Sequence, residues 1–368
     1  MPDSAVPLQT GPWGNLEELP TYIEPPDEYL PLKNIEGADS SWKFTGFSQN
    51  QLVSLFQSAD LTTQQSAELL HSFRWKQDAQ AIYVQASPDT ILTLSPAARK
   101  QIYQPLLADE DNLVLYSELT YPIAQFDAYF ADSGLTPETI ALIKKLSFDH
   151  GDMLVFCDIQ TVLKTLDTND QKIRLLKTLD RKSTLFLRLH LTSKSNIGEL
   201  ENYWARAGWG LDLKPRLESL ARLPNGARID LTELLPPVPS SQIYTYPFPS
   251  LKPIDMHRDC HWTALNFFRD VPDDKFADPN TVAQTIKSDY YPEFSDPRYG
   301  DLVLLTRPDG NVIHSAIYIA ADVVYTKNSG NFRDPFILMK LSDMVDHFST
   351  QIPEDQKLGV NYLRNKYY

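Results

Sequence analysis

The spacing of apolar residues changes along this chain, and each spacing predicts an element. "TLFLRLHLT", residues 184 to 192, alternates apolar and polar side chains as a half-buried strand does, and "NLVLYSELT" reads as another. "LTTQQSAELLHSF" has helical spacing, with Thr62 and Gln65 placed to form a capping box. "SPAARKQIYQPLL" and "TPETIALIKKL" each put proline at the first helical position behind a Ser or Thr cap. "NIGELENYWARAG" is expected to close on Gly208 as a C-cap. Further on, "DLVLLT" and "NVIHSAIYIA" flank the turn "RPDG", and "VVYTK" follows "AD". That pattern predicts a three-strand antiparallel meander.

Changes of texture divide the chain. Residues 1–44 are rich in proline and acids and lack a period, which predicts an extended arm lying on the surface and anchored by Trp13. Residues 45–235 mix helices with a few strands. Six prolines between Pro236 and Pro253 then interrupt any helix or central strand, so 236–253 reads as a linker. Residues 254–368 open with one helix at Cys260 and continue as strands. The expected fold class is α+β, a helix-rich mixed domain followed by a smaller one in which the cysteine helix packs on a small antiparallel sheet.

Composition narrows the functions. A hydrophobic share of 42% and a charged share of 22% suit a globular chain. The net charge is −14, of which −10 lies in the first 240 residues. That charge argues against nucleic acid, whose phosphates need clustered Lys and Arg, and against anionic membrane surfaces. No stretch reaches the ~18 apolar residues of a membrane span. "MPDSAVPLQTGPWGN" has neither the basic nor the apolar region of a signal peptide. Two cysteines, Cys157 and Cys260, make no disulfide framework.

Cys157 sits among apolar neighbours in "MLVFCDI", whereas Cys260 sits in "HRDCHWTALNFF". If a helix starts at 260, Trp262, Leu265 and Phe268 share a face, Asp259 caps the helix, and Cys260 lies in the first turn. There the free N–H groups and the helix dipole are expected to lower the thiol pKa and favour a thiolate. A small buried thiol used for packing is the alternative. A thiolate needs a base, and His314 is the histidine inside a predicted strand, where side chains are held rigidly. His261 lies about 100° around the helix from Cys260 and is expected to point elsewhere. Thr326 and Asn328, two apart on the next strand, are candidates to orient the imidazole, with Asn328 preferred for its carbonyl oxygen. His257, Asp259, Cys260 and His261 are the candidate metal ligands. One such cluster without a second Cys or His pair is a poor zinc site, so no metal and no cofactor are expected.

Taken together, Asp259-Cys260 heading a helix, Gly300-Asp301 before "LVLL", "HSAIYIA" and the returning "VVYTKN" resemble the NlpC/P60 family of papain-like cysteine peptidases. The resemblance covers roughly residues 241 to 345 and has the unpermuted order, Cys before His by 54 residues. It implies a papain-like domain with Cys260 as nucleophile, His314 as general base and a polar third residue on the strand of Thr326 and Asn328. The family's upstream tyrosine run is matched by Tyr244 and Tyr246, with prolines replacing its glycines. Where the family reads Asp-Cys-Ser-Gly, this chain has His261 and Trp262 after the cysteine. The implied substrate is a bacterial cell-wall peptide cut between D-glutamate and a diamino acid, and the implied location is outside the cytoplasm. An amidase or acyltransferase of the same fold, or a binding protein whose thiol site is vestigial, are the other readings.

Overall fold

A computed structural model describes residues 5–37, 41–71, 75–107, 119–206, 209, 213–248, 258–294, 296–349, 351–353 and 356–368. Within it the chain forms two compact units, one of residues 26–180 and one that joins residues up to 25 with 181–368. Strands β1 (Val6–Pro7) and β2 (Asn15–Ile23) open the second of these.

The 26–180 unit holds two three-stranded antiparallel sheets. β3 (Trp42–Thr45), β4 (Trp75–Gln77) and β5 (Ala81–Val84) run in the order β3-β5-β4. β6 (Leu119–Pro122), β7 (Ser147–His150) and β8 (Met153–Phe156) run β6-β8-β7. β6 includes the last two residues of "NLVLYSELT"; the rest of that segment, like Gly208, lies outside the described residues. The predicted N-caps form, whereas the helix expected to close on Gly208 ends earlier, at Trp204, with Ala205 as its C-cap. Thr62 and Gln65 close a capping box on the helix Thr63–Leu69, and Thr136 caps Pro137–Lys145 by accepting from the Thr139 N–H. A fully buried ion pair, Arg99 with Asp158, crosses this unit, and Tyr103 donates its hydroxyl to Asp158 at 2.7 Å.

The other unit completes with β9 (Lys182–Leu191), β10 (Ala227–Asp230), β11 (Tyr290–Glu293), β12 (Leu302–Thr306), β13 (Val312–Ala320), β14 (Val323–Thr326), β15 (Ile337–Lys340) and β16 (Gly359–Asn365). The predicted meander is β12-β13-β14, the middle of a six-stranded antiparallel sheet ordered β11-β16-β12-β13-β14-β15. Its two faces alternate residue by residue. Leu302, Leu304, Ile317 and Tyr325 pack with Trp262 and Leu265 of the helix Cys260–Leu265. Val303, Leu305, Ala316 and Val324 pack on the other side with Met344 and Phe348 of the helix Leu341–Ser349. Antiparallel sheets with helices packed on them make the chain a mixed α+β protein. Among the described residues no helix is long and apolar enough to cross a membrane.

Two expectations about the domain plan are corrected. The N-terminal arm is a strand: β2 pairs antiparallel with β9 from Asn15↔His190 to Ile23↔Lys182, in a sheet ordered β1-β2-β9-β10. Its prolines had argued against a strand, but β1 covers β2 only at Glu17 and Glu18, so Pro20 sits where that edge is open. The break at 236–253 is also no boundary. Residues 237–242 form a helix, Val238 and Pro239 are buried, and the Tyr244 N–H bonds the Phe336 carbonyl at 2.7 Å. β9 meets the larger sheet through Thr184, whose hydroxyl donates to the Leu338 carbonyl at 3.0 Å. The described residues of 181–248 therefore belong with the C-terminal strands.

Candidate active site

The thiol helix runs only from Cys260 to Leu265, and both ends are fixed by side chains. At its start, the Asp259 carboxylate accepts from the His261 and Trp262 N–H groups at 2.9 and 3.1 Å. At its end, Asn266 is fully buried; it donates to the Trp262 carbonyl at 2.9 Å and accepts from the Asp273 N–H at 2.7 Å. Asp274 clamps the outside, accepting from Arg258 at 2.9 and 2.8 Å and from the Trp262 indole at 3.2 Å. Gly300 closes the other side. Its φ is +85°, and a Cβ there would fall 2.3 Å from the Phe268 ring, so only glycine lets the ring just past the helix reach the sheet.

Cys260 is buried, and the main-chain N–H of Ser315 lies near enough to favour its anion. That places the thiol beside the peptide linking His314 to Ser315, past the point where β14 ends. The expected low pKa is corrected. Burial first, and the Asp259 carboxylate second, push the thiol up to about 12, against the Ser315 and helix N–H groups that favour the anion. The N-terminal donors foreseen for a thiolate are largely taken by Asp259.

His314 is fully buried and leaves the strand on the opposite face from Ser315. Its ring stacks on Phe348 with centroids 4.1 Å apart. Nε2 lies 2.7 Å from the Thr326 hydroxyl, which in turn donates to the Ser315 carbonyl at 3.4 Å. Because that hydroxyl hydrogen is directed at a carbonyl, its oxygen accepts, and Nε2 carries the ring proton. Nδ1 then has the free lone pair, and it is buried with no hydrogen-bond partner among the described residues, the Cys260 sulfur included. Burial, reinforced by His261 and His347, holds the imidazole pKa well below its ordinary value, so the ring is neutral.

Thr326, and not the preferred Asn328, therefore holds the ring. β14 ends at Thr326, so the alternation that would put Asn328 on the same face stops before it. The Asn328 Oδ1 is buried without a hydrogen-bond partner among the described residues. His261 is corrected too: it turns toward the sheet, with Nδ1 hydrogen-bonded to the Ser315 hydroxyl. Tyr244 and Tyr246 direct their hydroxyls to main-chain carbonyls, of Leu185 at 2.8 Å and Ile23 at 3.1 Å, and serve the smaller sheet.

Three participants were not foreseen. Ser315 holds His261 through its hydroxyl and turns its N–H toward the thiol, and Phe348 supplies the face on which His314 stacks. Lys327, buried one residue past Thr326, donates to the Ser329 and Asn331 carbonyls. Burial lowers its pKa to about 8, opposed by the charges of Asp334, Cys260 and Asp259. Its place at the end of "VVYTK" was the one available signal.

As metal donors, Asp259, Cys260 and His261 have ligand atoms within 4.8 Å of one another. Asp259 and His261 already spend their nearest atoms on the helix and on Ser315, and three donors fall short of a structural zinc set. His257 lies outside the described residues. No family model, curated protein or solved structure matches this chain.

Proposed function

We propose that this chain is a thiol hydrolase of the papain-like kind that cleaves an amide bond through Cys260, His314 and Thr326. The observation that carries the reading is a buried thiol at a helix start, packed on the strand whose His314 is tied through Nε2 to Thr326 and keeps a buried Nδ1 free. A neutral imidazole with an open Nδ1 is the form that takes a thiol proton. The His314 ring, which rests against Phe348 on the other face of the sheet, must turn toward the sulfur. The thiol proton then passes to Nδ1 as the sulfur attacks the carbonyl carbon, and the oxyanion forms next to the Cys260 N–H, the first helix donor that Asp259 leaves untaken. The imidazolium returns its proton to the departing amine. Water, deprotonated by the same ring, then cleaves the thioester. Lys327 supports the transient negative charge. The substrate class follows from the NlpC/P60 resemblance: a cell-wall peptide cut before its diamino acid.

Digestion of muropeptides followed by mass spectrometry tests the substrate; a new amino terminus on the diamino acid is expected. Thr326→Val is expected to lower kcat by about 10- to 100-fold with KM unchanged, a part of the 10²–10⁴ that general acid–base catalysis supplies. An unchanged kcat would remove Thr326 from the site.

A second reading, a binding protein with an unreactive thiol, is favoured by one observation, the burial that keeps Cys260 protonated. Absence of turnover on muropeptides and on simple peptide amides would select it.

A further inference from the structure

A cavity of about 950 Å³ opens in the unit that carries the thiol, lined by the "TGPWG" turn, the helix Ile197–Trp204 and the segment before Gly300. Neither the triad nor its supporting residues line it. We propose that it is a saccharide-binding site built around Trp13.

The indole is a fixed platform. Its Nε1 donates to the Gln9 carbonyl at 3.0 Å, and its edge meets Tyr203 with centroids 5.7 Å apart. The Trp13 carbonyl is itself held by the Trp204 indole at 3.1 Å. The ring lies so close over Gly11 that a Cβ there would be 2.5 Å from it, and Gly14, at φ +88°, turns the chain back into β2. Gly11 thus makes room for this ring, and Gly14 for Leu189 and Leu200 beneath it. Trp13 is half-buried, so part of its surface remains open, whereas the other lining aromatics, Tyr203 and Tyr318, are 8% and 4% exposed. One open aromatic face suits the C–H side of a pyranose ring; a quaternary ammonium would call for several faces around it.

The rim is planar and polar. Asn202, Asp296 and Arg298 are exposed on the cavity, and among the described residues their side chains make no hydrogen bond or ion pair. An amide, a carboxylate and a guanidinium offer paired donors and acceptors, which match neighbouring sugar hydroxyls. Glu199 and Asp296 against the single Arg298 disfavour a phosphate or other dense anion. The polar rim disfavours an apolar ligand.

Calorimetric titration of the full chain with neutral gluco-oligosaccharides, N-acetylated chito-oligosaccharides and uronate oligosaccharides, each at millimolar concentration, tests the proposal. Binding of at least one class is expected, weakened about tenfold or more by Trp13→Ala. Arg298→Ala, on the exposed rim, is expected to weaken the same ligand without touching the core. Cys260→Ala should bind as the wild type does, which keeps this result separate from the thiol chemistry. Binding of none of the three classes, or equal binding by both cavity variants, would overturn the assignment.

Discussion

Cys260→Ala is expected to abolish amide hydrolysis, lowering kcat by on the order of 10⁴–10⁶, the usual effect of deleting a covalent nucleophile. His314→Gln should lose nearly as much, and the double variant little more, because the two act in one step. The resting site is a neutral pair. With the thiol pushed up to about 12, it stays protonated at neutral pH. Iodoacetamide should therefore alkylate Cys260 more slowly than an ordinary free thiol at pH 7, with no plateau in the neutral range. The pH dependence of turnover has its own sign. His314 must be unprotonated, and its depressed pKa keeps it so as pH falls through 6.5. The acid limb of kcat/KM should lie below the value for an ordinary histidine. Fast alkylation with an apparent pKa near neutrality would show instead a thiolate-imidazolium pair and overturn the neutral-pair mechanism.

The second large effect lies in the 26–180 unit. Arg99 and Asp158 are paired with side-chain exposures of 0% and 3%. Burial drives the Asp158 pKa up against the pull of Arg99 and Tyr103, so the pair ties the helix Pro96–Leu107 to the start of the helix Ile159–Leu163 at a desolvation cost. Asp158→Ala leaves a guanidinium buried without its counter-charge and is expected to destabilise this unit by about 3–5 kcal/mol, seen as a loss of roughly 10 °C in its thermal transition. Replacing both, Arg99→Met with Asp158→Leu, should recover most of that. Equal melting of the single and double variants would show that packing, not charge, decides the site.

What the sequence made legible was local. The caps at Thr62 and Thr136, the alternation of β9 and the meander around His314 are each written in fewer than about a dozen neighbouring residues. Long-range pairing was not legible: nothing in "NLEELPTYI" names residues 182–191 as its partner. The thiol was placed at a helix start correctly, but its protonation depends on burial and on which N–H groups Asp259 consumes. Side-chain chemistry alone ranks Asn328 above Thr326, and only the point where β14 stops reverses that order.

The pairing of β2 with β9 also dictates an order of events during synthesis. Residues 15–23 leave the ribosome first, yet their partner strand emerges only after the whole 26–180 unit has been made. That unit can fold while the N-terminal strand waits, with its ladder groups open and its Leu16 uncovered. Closing so large a loop is slow, and an unpaired strand is a template for the wrong neighbour. The acids that made this segment resemble a loose arm, Glu17, Glu18 and Glu24 among them, are its protection during that interval.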